Sequence, residues 1–204
     1  MEYIEWDKEK LENYLKDKFR RRGVNIEEYL FLTEFLREVN PELIIDVGCF
    51  YGVSTYILGT SSKNIKSLIG IDNPFSDNFS PYLIDGEPIP QADYGKYIPE
   101  GGSFIGDGYE KNLYDLLDIY KEYENSFVFL DSVKLPDRVL DELTECYRGK
   151  AKYVAVHDTC KRYKHPRRAV KKVINDHMFK LLGETCIEER PDMKVKGVTI
   201  LERI

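Results

Sequence analysis

Five aspartates stand at or just past the ends of short apolar runs in this 204-residue chain: Asp46, Asp72, Asp107, Asp131 and Asp158. Carboxylates gathered on one edge can balance a cationic ligand, accept hydrogen bonds from sugar hydroxyls, or hold a hard divalent ion. Asp131 and Asp158 are the pair suited to a magnesium-like ion, which would orient a hydroxyl and lower its pKa. Hydrogen bonding without metal is the plainer use of the same two acids. His157, directly before Asp158, offers a general base because its ordinary pKa lies near 6.5, or is a structural histidine turned into a helix layer. Gly48 and Gly52 follow Asp46 and make a turn at which backbone can approach a ligand closely. Lys161 to Arg168 is strongly basic, and Arg162, Lys164 and Arg167 are candidates for gripping an anionic substrate such as a phosphate or carboxylate. The alternative is a solvated helix start, although cations there oppose the helix dipole.

These residues need a frame that brings them to one edge. Residues 5–22 read as a charged helix with Leu11, Tyr14, Leu15 and Phe19 at helical spacing. It is either a surface helix or a lid or dimer arm, and a homodimer stays open. Asn25 caps a helix from Ile26 to about Val39, with Glu27 and Glu28 in its first turn, and Pro41 stops it. Strands follow at Leu43–Val47, Ser67–Asp72, Ser103–Asp107, Phe127–Asp131 and Tyr153–His157, alternating with helices that begin after Gly52, at Tyr109, at Pro136 and at Pro166. Phe179–Ile187 and Val195–Glu202 complete a hairpin around Pro191-Asp192. The expected fold is α/β: a Rossmann-like, doubly wound, mostly parallel seven-stranded sheet with a closing antiparallel hairpin. Ligands of such sheets bind outside the carboxyl ends of the strands. Residues 74–102, rich in Pro, Gly, Tyr and Phe, read as a folded lid loop.

Composition sets limits. The chain is 42% apolar and 13% aromatic, as globular domains are, and long enough for one domain with a sizeable core. A formal net charge of -6 gives no global field for nucleic acid. No apolar run approaches the roughly 20 residues of a membrane span, and the N-terminus lacks the layout of a signal peptide. Cys49, Cys146, Cys160 and Cys186 are scattered, without a C-x-x-C pair. That is neither a zinc pattern nor a disulfide-rich framework, so a reducing, cytoplasmic setting is expected.

Asp46-x-Gly48-x-x-x-Gly52-x-Ser54 resembles the first motif of class I S-adenosylmethionine-dependent methyltransferases, and the closing hairpin is similar to their last two strands. Leu43–Ser54, Phe127–Asp131 and Val156–Thr159 look like the small-molecule O-methyltransferases, nearest the catechol O-methyltransferase-like and "methyltransferase 24" groups. The resemblance covers roughly residues 26–204, leaving 1–25 as an N-terminal helical extension. It implies S-adenosylmethionine as cofactor and a hydroxyl of a small polar or anionic molecule as methyl acceptor. Asp46, Gly48, Gly52 and Ser54 would meet its methionine part, with Asp46 balancing the ammonium and the glycines leaving room for it. Asp72 would accept the ribose hydroxyls, and Gly106-Asp107 would face adenine. Asp131, Asp158 and Thr159 would hold Mg2+, with Thr159 at a position where catechol-type sites carry an amide. Asp131, His157 and Asp158 would be the catalytic set. A nicotinamide dehydrogenase fits less well, because Phe50 interrupts G-x-G-x-x-G. A nucleic-acid methyltransferase would want an Asn/Asp-Pro-Pro-Tyr-type motif. A non-catalytic methyltransferase-like domain is the remaining alternative.

Overall fold

The computed structural model describes residues 1–18, 26–72, 83–84, 87–88, 93–106, 113–132, 135–160, 164–186 and 197–204. Its helices are α1 (Lys8–Lys18), α2 (Ile26–Val39), α3 (Val53–Thr60), α4 (Leu113–Ile119), α5 (Pro136–Arg148) and α6 (Lys164–Asn175). Its strands are β1 (Leu43–Val47), β2 (Ser67–Ile71), β3 (Leu83–Ile84), β4 (Glu87–Pro88), β5 (Ser103–Ile105), β6 (Ser126–Leu130), β7 (Tyr153–His157), β8 (Phe179–Cys186) and β9 (Gly197–Arg203). The seven-stranded sheet has the order β5-β2-β1-β6-β7-β9-β8, and β3 and β4 form a separate two-residue ribbon. Strands β5, β2, β1, β6 and β7 are mutually parallel, whereas β9 runs antiparallel to both β7 and β8. The doubly wound sheet with its closing hairpin is therefore as the sequence pattern implies. Helix α6 begins two residues before Pro166, which its first turn absorbs.

The inner parallel strands β2, β1, β6 and β7 are apolar on both sides because helices cover both faces. Ile45, Val47, Ile69, Ile71, Val128, Leu130, Val154 and Val156 pack against α4, α5 and α6. Ile44, Leu68, Phe127, Phe129 and Ala155 take the other side, against Leu32 and Leu36 of α2 and Leu58 of α3. Trp6, Leu11 and Leu15 bring the N-terminal residues onto α3, where the Trp6 indole N–H donates to Thr60 Oγ1 at 3.0 Å. Among the described residues no helix is long and apolar enough to cross a membrane.

Candidate functional site

Alternation along the strands decides which acids meet. Asp46 shares the parity of Ile44 and so faces α2 and α3. By the same count, Asp131 continues the Phe127–Phe129 row and His157 the Tyr153–Ala155 row. All three reach the α2 side of the carboxyl edge. Parallel registry aligns Asp46 with Phe129 and Phe129 with Ala155, so Asp131 and His157 lie one row beyond Asp46.

Asp46 is fully buried. Its Oδ2 accepts hydrogen bonds from Ser54 Oγ and Thr55 Oγ1 in the first turn of α3, both at 2.6 Å. Its Oδ1 has no hydrogen-bond partner among the described residues. Burial raises the Asp46 pKa, the two hydroxyls pull it back, and the charges of Asp131 and Asp72 push it up again, to about 7. A carboxylate held this way is short of a cation. Tyr29, on α2, has its phenol pKa raised well above its ordinary value by burial and then by Asp131, Asp46 and Glu28.

His157 is buried and bridges two elements. Its Nδ1 lies 2.7 Å from Asp131 Oδ1 and 3.8 Å from Asp158 Oδ1, while its Nε2 lies 3.2 Å from Glu28 Oε2 on α2. Burial alone would lower the imidazole pKa. The charge and hydrogen bond of Asp131, then Glu28 and Asp158, outweigh it and bring the pKa to about 9. Both ring nitrogens are engaged by carboxylates, which favours the protonated ring. Asp131, His157 and Asp158 offer ligand atoms all within 4.8 Å of one another. The Asp131–Asp158 pairing expected for a cation is thus spatially sound. The Thr159 hydroxyl accepts a 2.8 Å hydrogen bond from Thr199 on β9.

The two glycines form the turn between β1 and α3, both at positive φ. A Cβ at Gly48 (φ +88°) would lie 2.5 Å from the Asp131 carbonyl oxygen, and one at Gly52 (φ +84°) 2.9 Å from the Ile98 backbone nitrogen. The chain's own backbone already excludes side chains there. The segment 93–102 is docked on the turn: Gly95 N–H donates to the Phe50 carbonyl and Tyr97 N–H to the Tyr51 carbonyl, both at 2.8 Å. Ile98 fills the space over Gly52, Gly70 and Gly102. Asp72 Oδ2 accepts from the Phe50 N–H at 2.6 Å, holding Phe50 in a left-handed conformation (φ +51°) that bulky residues seldom adopt.

Gly106 lies just past β5, half-buried, and the adjoining Asp107 is outside the described residues, as is Arg162. Lys164 is exposed and Arg167 half-buried in the first turn of α6. Cys160 and Cys186 are joined as a disulfide, with Cα atoms 5.7 Å apart. Their separation in sequence hides this: β8 runs parallel to β7, with β9 between them, so both chain exits reach one edge. Glu28 was also missed. The signal was available, because Glu28 shares an i, i+4 stripe with Leu32 and Leu36 and is an acid where the helix should be apolar.

No protein-family model matches the chain, and no curated protein matches it in sequence. Solved structures do. A putative O-methyltransferase from Klebsiella pneumoniae aligns over 98% of this chain and 91% of its own, with a TM-score of 0.62 at 13% identity. The O-methyltransferase TomG from Streptomyces achromogenes, involved in tomaymycin synthesis and solved in complex with SAM, has the same coverage and TM-score at 12% identity. A putative caffeoyl-CoA O-methyltransferase from Staphylococcus aureus aligns over 98% and 93%, with a TM-score of 0.60 at 12% identity. At such identities the likeness shows the methyltransferase fold.

Proposed function

We propose that the protein transfers a methyl group from S-adenosylmethionine to a hydroxyl of a small polar or anionic molecule. The observation that carries this reading is the buried Asp46 Oδ1, without a hydrogen-bond partner among the described residues, at the glycine turn of a fold shared with S-adenosylmethionine-dependent enzymes. An ammonium there would satisfy it and return the carboxylate to its charged state. Asp72, beside Phe50, is in the position to accept ribose hydroxyls. When bound, S-adenosylmethionine supplies an electrophilic methyl group on a sulfonium. Asp131 and Asp158 orient the acceptor hydroxyl at the same edge, and the donor set they form with His157 fits a divalent cation, which would lower the hydroxyl pKa. Lys164 and Arg167, with Arg162, are the residues proposed to draw an anionic acceptor.

Calorimetric titration with S-adenosylmethionine, its demethylated product and NAD tests the reading. Binding of the first two, lost in Asp46→Asn, is the expected result. Tight NAD binding with no response to S-adenosylmethionine would overturn it. Binding with no methyl transfer to any hydroxylated acceptor in a broad panel would favour the non-catalytic alternative.

A further inference from the structure

The geometry points to His157 as the third ligand of a cation site with Asp131 and Asp158, selecting a first-row transition ion over magnesium, with Glu28 as the residue that positions the ring. Nδ1 is turned toward Asp131 and Asp158, at 2.7 Å and 3.8 Å, while Nε2 is turned away to Glu28. This division of the two ring nitrogens suits a ligating histidine: one nitrogen faces the ion and the other gives its N–H to an outer carboxylate, which fixes tautomer and orientation. Glu28 is suited to that role because it is buried and arrives from a separate helix. The oxygen that would complete an all-oxygen set at Thr159 is held by Thr199 instead. What remains is one nitrogen and two carboxylates, and imidazole moves a site's preference toward manganese-to-zinc ions and away from magnesium.

A second observation asks for a cation independently of those three donors. Asp46 and Glu28 are both more than nine-tenths buried, and each keeps an oxygen without a hydrogen-bond partner among the described residues. Glu28, Asp131 and Asp158 make three carboxylates around one imidazole, with Asp46 one row further back on the same side of the sheet. Such an excess of buried negative charge is costly unless positive charge is brought in. The ammonium proposed at Asp46 would meet part of it. The Asp131–His157–Asp158 face is left for a metal.

The deciding experiment titrates the chelator-treated full chain with Co2+, Mn2+ and Mg2+, following heat and the visible Co2+ spectrum. One Co2+ should bind per chain, at least about 10-fold more tightly than Mg2+. His157→Asn should weaken Co2+ by about 10-fold or more and leave Mg2+ nearly unchanged. Glu28→Gln should weaken Co2+ by roughly 10-fold. In the Co2+-loaded wild type, proton NMR should show a paramagnetically shifted, exchangeable imidazole N–H, the one donated to Glu28. If His157→Asn does not fold, that resonance decides the matter. Mg2+ binding as tight as Co2+, or the absence of the shifted N–H, would overturn the proposal. S-adenosylmethionine is titrated separately into the same metal-free protein. Loss of that binding alone removes the methyltransferase reading and leaves the metal site standing, and the converse separates them the other way.

Discussion

Buried polar clusters built on carboxylates lie on opposite faces of the sheet at its carboxyl edge, one acid on the α5 side and several on the α2 side, and they are partnered differently. On the α5 side, Glu142 Oε1 accepts from Ser132 Oγ at 2.7 Å and from Arg138 Nε at 2.9 Å, and Oε2 from Ser132 at 2.8 Å. It adjoins an apolar cleft lined by Val47, Ile71, Ile105, Leu113 and Leu116. On the α2 side, Glu28 and Asp46 each retain a buried oxygen without a hydrogen-bond partner among the described residues, and one imidazole faces three acids. Adjacent residues serve the two faces, Asp131 the α2 side and Ser132 the α5 side. The α5 cluster carries its own cation and ties a helix to a strand exit. The α2 cluster is more negative than folding requires, and that surplus is the reason the ligand is proposed on this side.

The largest expected effect comes from disturbing the junction both clusters share. Gly48→Ala forces a Cβ into the Asp131–Ser132 peptide at a positive φ, and should cost more than about 4 kcal/mol or prevent folding. A melting temperature close to wild type would show that a ligand, and not β6, demands the glycine.

Asp46→Asn should act in opposite directions on stability and binding. The folded-state pKa is raised from 3.8 to about 7, so the ionised form opposes folding above that range. Removing the charge should stabilise the free protein at pH 8 by on the order of 2 to 4 kcal/mol. It should weaken S-adenosylmethionine binding by about 10-fold or more. Denaturant melts and calorimetry on one preparation read both effects. A variant that loses stability would remove Asp46 from the under-neutralised side of the comparison.

The two faces should also differ in their response to pH. His157 has its pKa raised from 6.5 to about 9, so its contribution is complete below 6.5 and is lost as pH rises through 9. Chelated protein should therefore lose on the order of 2 kcal/mol of stability across that window. Denaturant melts from pH 7.5 to pH 9.5, above the Asp46 titration, should show the slope in wild type and not in His157→Asn. An unchanged slope in the variant would place the titrating group elsewhere.

The smallest effect is expected on the neutralised side. Glu142→Gln keeps the shape, loses the charge opposite the part-exposed Arg138, and should cost about 1 kcal/mol. S-adenosylmethionine affinity should stay within about two-fold. A large loss of affinity there would show that the α5 cluster also contacts ligand.

Much of the frame is legible in the chain because it rests on local signals. Apolar runs bounded by glycine, proline and acids marked β1, β2, β6 and β7 to within a residue or so, and Pro136 marked the start of α5. The site is less legible, because its contacts span great sequence distance. Glu28 reaches His157 across 129 residues, and Cys160 reaches Cys186 only because β9 lies between β7 and β8. Glu27 and Glu28 are equally good first-turn acids on paper. Docking of the Leu32–Leu36 stripe turns Glu28 inward and leaves Glu27 exposed.

The sequence by itself determined that acids and glycines gather at the ends of parallel strands, since period and punctuation set strand direction and ends. Only the tertiary structure decided their tasks. The face each side chain takes, and which neighbour already occupies it, depends on register and helix docking. Gly48 is therefore required by Asp131, Thr159 is held by Thr199, and His157 stands between Glu28 and the two aspartates.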